Sequence, residues 1–134
     1  RMGGAGWITA ALAAILVGAV AVLQPASGDR RTLPPTTFTI CRADRDTHCV
    51  VDGDTFRLER ERVRIERIDT PEIRPSRCPR EARLGAKATE RLRQLLSAGP
   101  ITLVRNRRDR DRNGRLLRSV EVNGRDVGAT LISE

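Results

Sequence analysis

The sequence predicts an α+β domain, mainly β: a small antiparallel barrel of five strands with one long and one short helix, preceded by an apolar N-terminal helix. Short runs rich in Val, Ile and Leu are separated by the turn dipeptides Asp52-Gly53, Asn113-Gly114 and Asn123-Gly124. Residues 79–97 carry the one long apolar stripe at helical spacing. Residues 7–23, WITAALAAILVGAVAVL, hold no charge.

Those seventeen residues exceed a usual signal-peptide core and sit at the short limit of a membrane span. No small-x-small cleavage site stands out after them, so an uncleaved anchor is favoured over a cleaved signal. Residues 1–24 are read as a signal peptide or membrane anchor, with membrane contact through 7–23. Residues 25–36, with Pro25, Pro34 and Pro35, read as an extended linker, and the domain fills 37–134.

Within the domain, 37–40 and 49–52 read as strands, and Asp52-Gly53 turns the chain into a strand over 55–58. In the next strand, 63–68, Val63 and Ile65 share one face while Arg64 and Glu66 share the other. Pro71 fixes its own φ and restricts Thr70, which steadies the spacing between Asp69 and Glu72. Pro79 suits the first helical position and Glu81 the first turn. Leu84, Ala88, Leu92, Leu95 and Leu96 supply the stripe, and Gly99-Pro100 stops the helix. Residues 101–104 form a strand. The run 105–115, RNRRDRDRNGR, is too polar to pack and reads as a loop, most of it solvated. A strand follows over 116–122, and Asp126 caps a short helix through residue 131.

Composition excludes several chemistries. His48 is the only histidine, so multi-histidine metal sites are impossible and a Ser-His-Asp triad would need His48 as its base. Seven and twenty-eight residues separate Cys41, Cys49 and Cys78, and neither gap resembles Cys-x-x-Cys. The cysteines lean toward an oxidising compartment, and Cys41 could bridge to Cys49 across a turn at 44–46; spacing does not decide the pairing. The formal charge of +8 favours nucleic acid or an anionic membrane surface. Lys87 is the only lysine, so coding bias toward arginine competes with that reading. Carboxylates such as Asp54, Asp69 and Glu72 can hold a hard cation, and arginines such as Arg64 and Arg115 can hold a phosphate.

Three segments gather these residues: VDGDT at 51–55, Arg64 with Asp69-Thr70-Pro71-Glu72, and Asp111-Arg112-Asn113-Gly114-Arg115. Together, and in this order around a helix, they resemble the thermonuclease family of staphylococcal-nuclease-like domains. The resemblance covers residue 49 to the end. It implies an OB-type five-stranded barrel, and calcium-dependent hydrolysis of DNA or RNA at the phosphate–5′-oxygen bond. By the same resemblance Asp54 and Asp69 hold Ca2+ and Thr70 lends a backbone carbonyl. Glu72 orients or deprotonates the attacking water, and Arg64 and Arg115 grip the phosphate. Asp52 matches a motif position of less direct role. Asn113 departs from the family, whose best-known members carry tyrosine there. The chain stops at Glu134, before the family's closing segment, so the domain reads as C-terminally incomplete. The expectation is a monomeric nuclease, membrane-anchored or exported to the periplasmic or extracellular side. The alternatives are a non-catalytic nucleic-acid-binding module on the same barrel, or an inactive truncated product.

Overall fold

The computed structural model describes residue 3 and residues 29–66 and 78–134. The expected apolar helix at 7–23 lies outside the described residues. No described helix is long and apolar enough to cross a membrane.

Among the described residues, eight strands and two helices follow in the order β1 (Arg30–Leu33), β2 (Thr39–Ile40), β3 (His48–Asp52), β4 (Thr55–Leu58), β5 (Glu61–Ile65), α1 (Pro79–Leu96), β6 (Ile101–Val104), β7 (Leu116–Val122), β8 (Arg125–Asp126) and α2 (Val127–Ser133). Hydrogen-bonded neighbours run β1-β6-β7-β5-β4-β3-β2, with β8 added to β7. The sheet is mixed, which corrects the all-antiparallel expectation: β2 pairs parallel with β3, and β5 parallel with β7. The connection from β5 to β7 contains α1 and β6, long enough for a parallel return. Residues 30–33, read from sequence as part of the linker, form β1 and pair antiparallel with β6. Proline-rich flanks hide this strand from a pattern search, because Arg30, Arg31 and Thr32 are exposed on an edge and show no apolar alternation.

The core is Val, Leu and Ile around two phenylalanines. Phe38, Val50, Phe56, Val63, Leu92 and Val120 are fully buried. Phe38 and Phe56 meet edge to face with ring centroids 5.8 Å apart. The expected stripe on α1 needs correction at its start. Leu84 is 46% exposed, and the buried face is Gly85, Thr89, Leu92 and Leu96. Thr89 satisfies its hydroxyl on the Gly85 carbonyl at 2.8 Å. The last turn pins the segment before β2: the Phe38 amide donates to Ser97 Oγ at 3.0 Å, and Arg93 Nη1 donates to the Phe38 carbonyl at 3.3 Å.

Cys41 and Cys49 are joined by a disulfide with their Cα atoms 4.9 Å apart, while Cys78 is free and exposed. The bridge closes the loop between β2 and β3, where the chain must return parallel within a few residues. Replacing both bridge residues, Cys41→Ala with Cys49→Ala, is expected to cost about 2–3 kcal/mol, the loop-closure entropy of so short a ring. Equilibrium urea unfolding of the two proteins under oxidising conditions measures it, and equal midpoints contradict it.

Candidate active site

The site begins at the β3–β4 turn. There the Asp54 amide donates to Asp52 Oδ1 at 3.1 Å, so the first aspartate shapes the turn that presents the second. Thr55 Oγ1 donates to Asp54 Oδ1 at 2.7 Å. The Asp54 carbonyl accepts from the Ile65 amide at 2.9 Å, which ties the turn to β5. Asp54 is 8% exposed, a depth at which a carboxylate needs partners.

Strand β5 supplies Arg64. Its neighbours Val63 and Ile65 are buried, so alternation turns Arg64 to the other face. It stands opposite Thr55 in the antiparallel register, and its Nη2 lies 3.8 Å from Asp54 Oδ2. On the other side, parallel register sets Arg64 beside Leu117 of β7. That pairing delivers the loop preceding β7, where Arg115 sits.

This loop is closed by Asp111. Its Oδ1 accepts from the amides of Asn113 at 2.9 Å and Arg115 at 3.0 Å, and its Oδ2 accepts from Arg115 Nε at 2.7 Å. Gly114 takes φ +76°, a region that favours glycine. Three further bonds hold the loop to β5 and the residue after it: Arg110 forms a fork on Glu61 at 2.9 and 3.0 Å, and Asn106 Nδ2 donates to Glu66 Oε2 at 2.7 Å. Arg64, Glu66, Arg107, Arg108, Arg112 and Arg115 line the resulting cleft, about 720 Å³ in volume. Arg64 and Arg115 therefore share one cleft, and Asp54 stands beside Arg64. Asp69, Thr70 and Glu72 lie outside the described residues.

The profile of staphylococcal nuclease homologues matches residues 62–134, more than half of the chain. The chain belongs to that family. It is also similar to endonuclease YncB of Bacillus subtilis (strain 168), 36% identical over 90 residues, which are 63% of this chain and 42% of that protein. It is similar to the SPbeta prophage-derived endonuclease YokF of the same organism, 38% identical over 90 residues, 63% of this chain and 30% of that protein. The chain spans less than half the length of either relative.

The electrostatics of this staphylococcal nuclease homologue are uneven across the site. Burial, together with the hydrogen bond and charge of neighbouring Asp54, pushes Asp52 up to about 6. Two carboxyl groups crowded at the turn suit a hard cation, which takes oxygen ligands and would offset their repulsion. No cluster of three metal-ligating side chains occurs among the described residues. Asp52 and Asp54 are thus the carboxylates that fit a cation among the described residues of the turn.

Sequence reasoning underrated the loop. It treated most of 105–115 as a solvated charge run, whereas Asp111 and Arg110 build the cleft wall. Alternation carries no signal for this, since Glu61 and Arg110 lie 49 residues apart. The one local cue is Asp111 four residues before Arg115 with Gly114 between, a spacing for a turn closed by its own side chain.

Burial opposes ionisation of Asp111, but bonds from Arg115 and from the Asn113 amide outweigh it and hold this carboxyl below its ordinary value. A carboxyl lowered by folding contributes stability above its unfolded pKa, and the contribution disappears as pH falls through the folded value. Asp111→Asn is therefore expected to be less stable than the wild type at neutral pH, with the gap closing below pH about 4. Denaturation midpoints across that range test this, and a gap that widens in acid contradicts it.

Proposed function

We propose that this chain is a calcium-dependent nuclease domain that hydrolyses phosphodiesters of DNA or RNA. The observation that carries the reading is that Arg64 and Arg115 line one cleft, with Asp54 3.8 Å from Arg64, within a staphylococcal nuclease homologue domain. Two relatives named as endonucleases support the same reading. The mixed sheet with α1 across it is read as an OB-type barrel.

In this mechanism the two arginines hold the scissile phosphate. Arg115 spends only Nε on Asp111, so its terminal nitrogens are free of described partners and available as a fork for phosphate oxygens. Arg64, 3.8 Å from Asp54, sits near enough to neutralise the aspartate and far enough to leave most of its donors for substrate. Both guanidiniums act most strongly when the attacking oxygen adds charge to the phosphorus-bound oxygens, so they stabilise the transition state more than the ground state. Asp54, Asp69 and the Thr70 carbonyl would hold the calcium ion, whose charge would supply further stabilisation of the developing negative charge. Glu72 would orient or deprotonate the attacking water. No histidine is needed.

The location proposed is outside the cytoplasm, exported or anchored through residues 7–23, and the Cys41–Cys49 bridge supports an oxidising compartment. The proposed state is a monomer.

A purified chain is expected to degrade DNA with calcium and to stop with EDTA. Arg64→Ala, Arg115→Ala and Glu72→Gln should each lose at least ~10²-fold in rate, the scale of one lost transition-state stabiliser. Circular dichroism checks that each variant folds. Folded variants that cut at the wild-type rate reject the assignment. Salt-sensitive DNA binding without turnover favours the non-catalytic binding module instead.

A further inference from the structure

A second arginine-lined depression lies at the far end of the β4–β5 hairpin. It holds about 620 Å³ between Arg45, Arg57, Arg60, Arg62 and the acids Asp44, Asp46 and Glu59. The acids are already engaged. Asp44 binds Arg57 at 3.2 Å, Asp46 accepts from the amides of Arg42 and Ala43, and Glu59 faces Arg31 at 3.8 Å. Arg60 and Arg62 are exposed and make no ion pair or hydrogen bond among the described residues. Close guanidiniums without counter-charges repel each other, and a polyanion relieves that repulsion.

Strand register joins this depression to the active cleft. Arg62 lies two residues from Arg64 on the same face of β5, roughly 7 Å along the strand. Parallel pairing begins with Val63 beside Leu116, so Arg62 and Arg115 each stand one residue before it, on the same side of the sheet. Arg64 and Arg62 thus succeed each other along one face of β5, with Arg115 level with Arg62 on the neighbouring chain segment and Arg60 in the turn that precedes the strand. Arg57 stiffens the far end: Nη1 donates to the Ala43 and Asp44 carbonyls at 3.2 and 2.7 Å, which fixes the loop that carries Arg45.

We propose that Arg115, Arg64, Arg62 and Arg60 form a phosphate track, and that Arg60 and Arg62 bind the backbone of a single nucleic-acid strand beyond the scissile phosphate. The spacing along an extended strand matches the spacing of successive phosphates on an extended chain. Among the described residues no aromatic side chain lines the depression, so recognition there is electrostatic and independent of sequence. The proposal rests on the nuclease reading only for where the first phosphate sits.

Fluorescence anisotropy with labelled oligothymidylate, in EDTA so that nothing is cut, tests it. Two probes are used, a dinucleotide and an oligomer of about eight nucleotides. For the longer probe, Arg60→Ala with Arg62→Ala is expected to weaken binding and flatten the plot of log affinity against log salt by about 1.4, or ~0.7 for each lost phosphate. Arg125→Ala, an equal charge loss per site on β8, is expected to leave that slope in place. An unchanged slope in the double variant overturns the track. So does an equal fall in Arg125→Ala, or a dinucleotide weakened as much as the longer probe. Loss of phosphatidylserine-vesicle binding with oligonucleotide binding intact would assign the arginines to a membrane and also overturns it. Failure of the nuclease reading shows separately, as absence of cleavage when calcium is restored.

Discussion

The parallel pairing of β5 with β7 is the constraint on which the site depends. Antiparallel neighbours such as β4 and β5 meet through a tight turn, and that meeting alone brings Asp54 to Arg64. Arg115 is remote in sequence and arrives only because β7 lies beside β5 in one register. A slip of one residue would turn Arg64 into the core and put Val63 and Ile65 into the cleft. Both apolar side chains are fully buried or nearly so, and exposing them would cost about 1.5–3 kcal/mol each. Core packing therefore sets the position of a charged group on the opposite face. The Glu61–Arg110 fork reinforces that register from outside the sheet, in a geometry that lysine would not reproduce.

Acidic residues divide into two kinds of work. Asp111, Glu61 and Glu66 are spent on loop architecture, each bound to a side chain or amide of 105–115. Asp54 and Asp52 are spent on the turn facing Arg64. None of the bonds that build the loop uses Arg107, Arg108 or Arg112, which line the cleft with no ion pair among the described residues. The carboxylates organise the wall and the arginines remain available to an anion. A cleft made this way is preorganised before substrate arrives, so little of the binding energy goes into assembling it.

Most elements were legible because their signals are local. Strand β4 matches its expected bounds, and α1 differs from its expected end by one residue, since Pro79 and Gly99-Pro100 act within a turn of the helix. Strand β1 was missed because an exposed edge needs no alternation. The parallel pairings were missed because periodicity tells which face a residue takes but not which strand lies beside it. Leu84 falls outside the buried face of α1, which begins instead with the small residues Gly85 and Thr89, and large apolar residues are the stronger signal in a sequence pattern. At the site, Asp54, Arg64 and Arg115 stood out as motif residues. Asp111 as a loop closure and Arg110 as a staple did not, because hydrogen-bond partners follow from geometry that no local pattern encodes.

A chain of 134 residues with a formal charge of +8 must tolerate its own repulsion, and it does so unevenly. Arg30 is matched by Glu121, Arg91 by Glu134 and Arg93 by Glu90, all away from the cleft. Each exposed pair contributes little stability, on the order of 0–1 kcal/mol. Their effect lies in where they leave charge unmatched. Arg80, Arg83 and Lys87 on α1 are exposed as well, but a convex helix disperses its field into solvent. A concave wall with apolar sheet behind it confines the field and raises the local concentration of anions. The same number of arginines therefore attracts a polyanion more strongly along β5 than along α1. The core behind β5, with Phe56, Val63 and Ile65 excluding water from that side, is part of the electrostatics as much as of the fold.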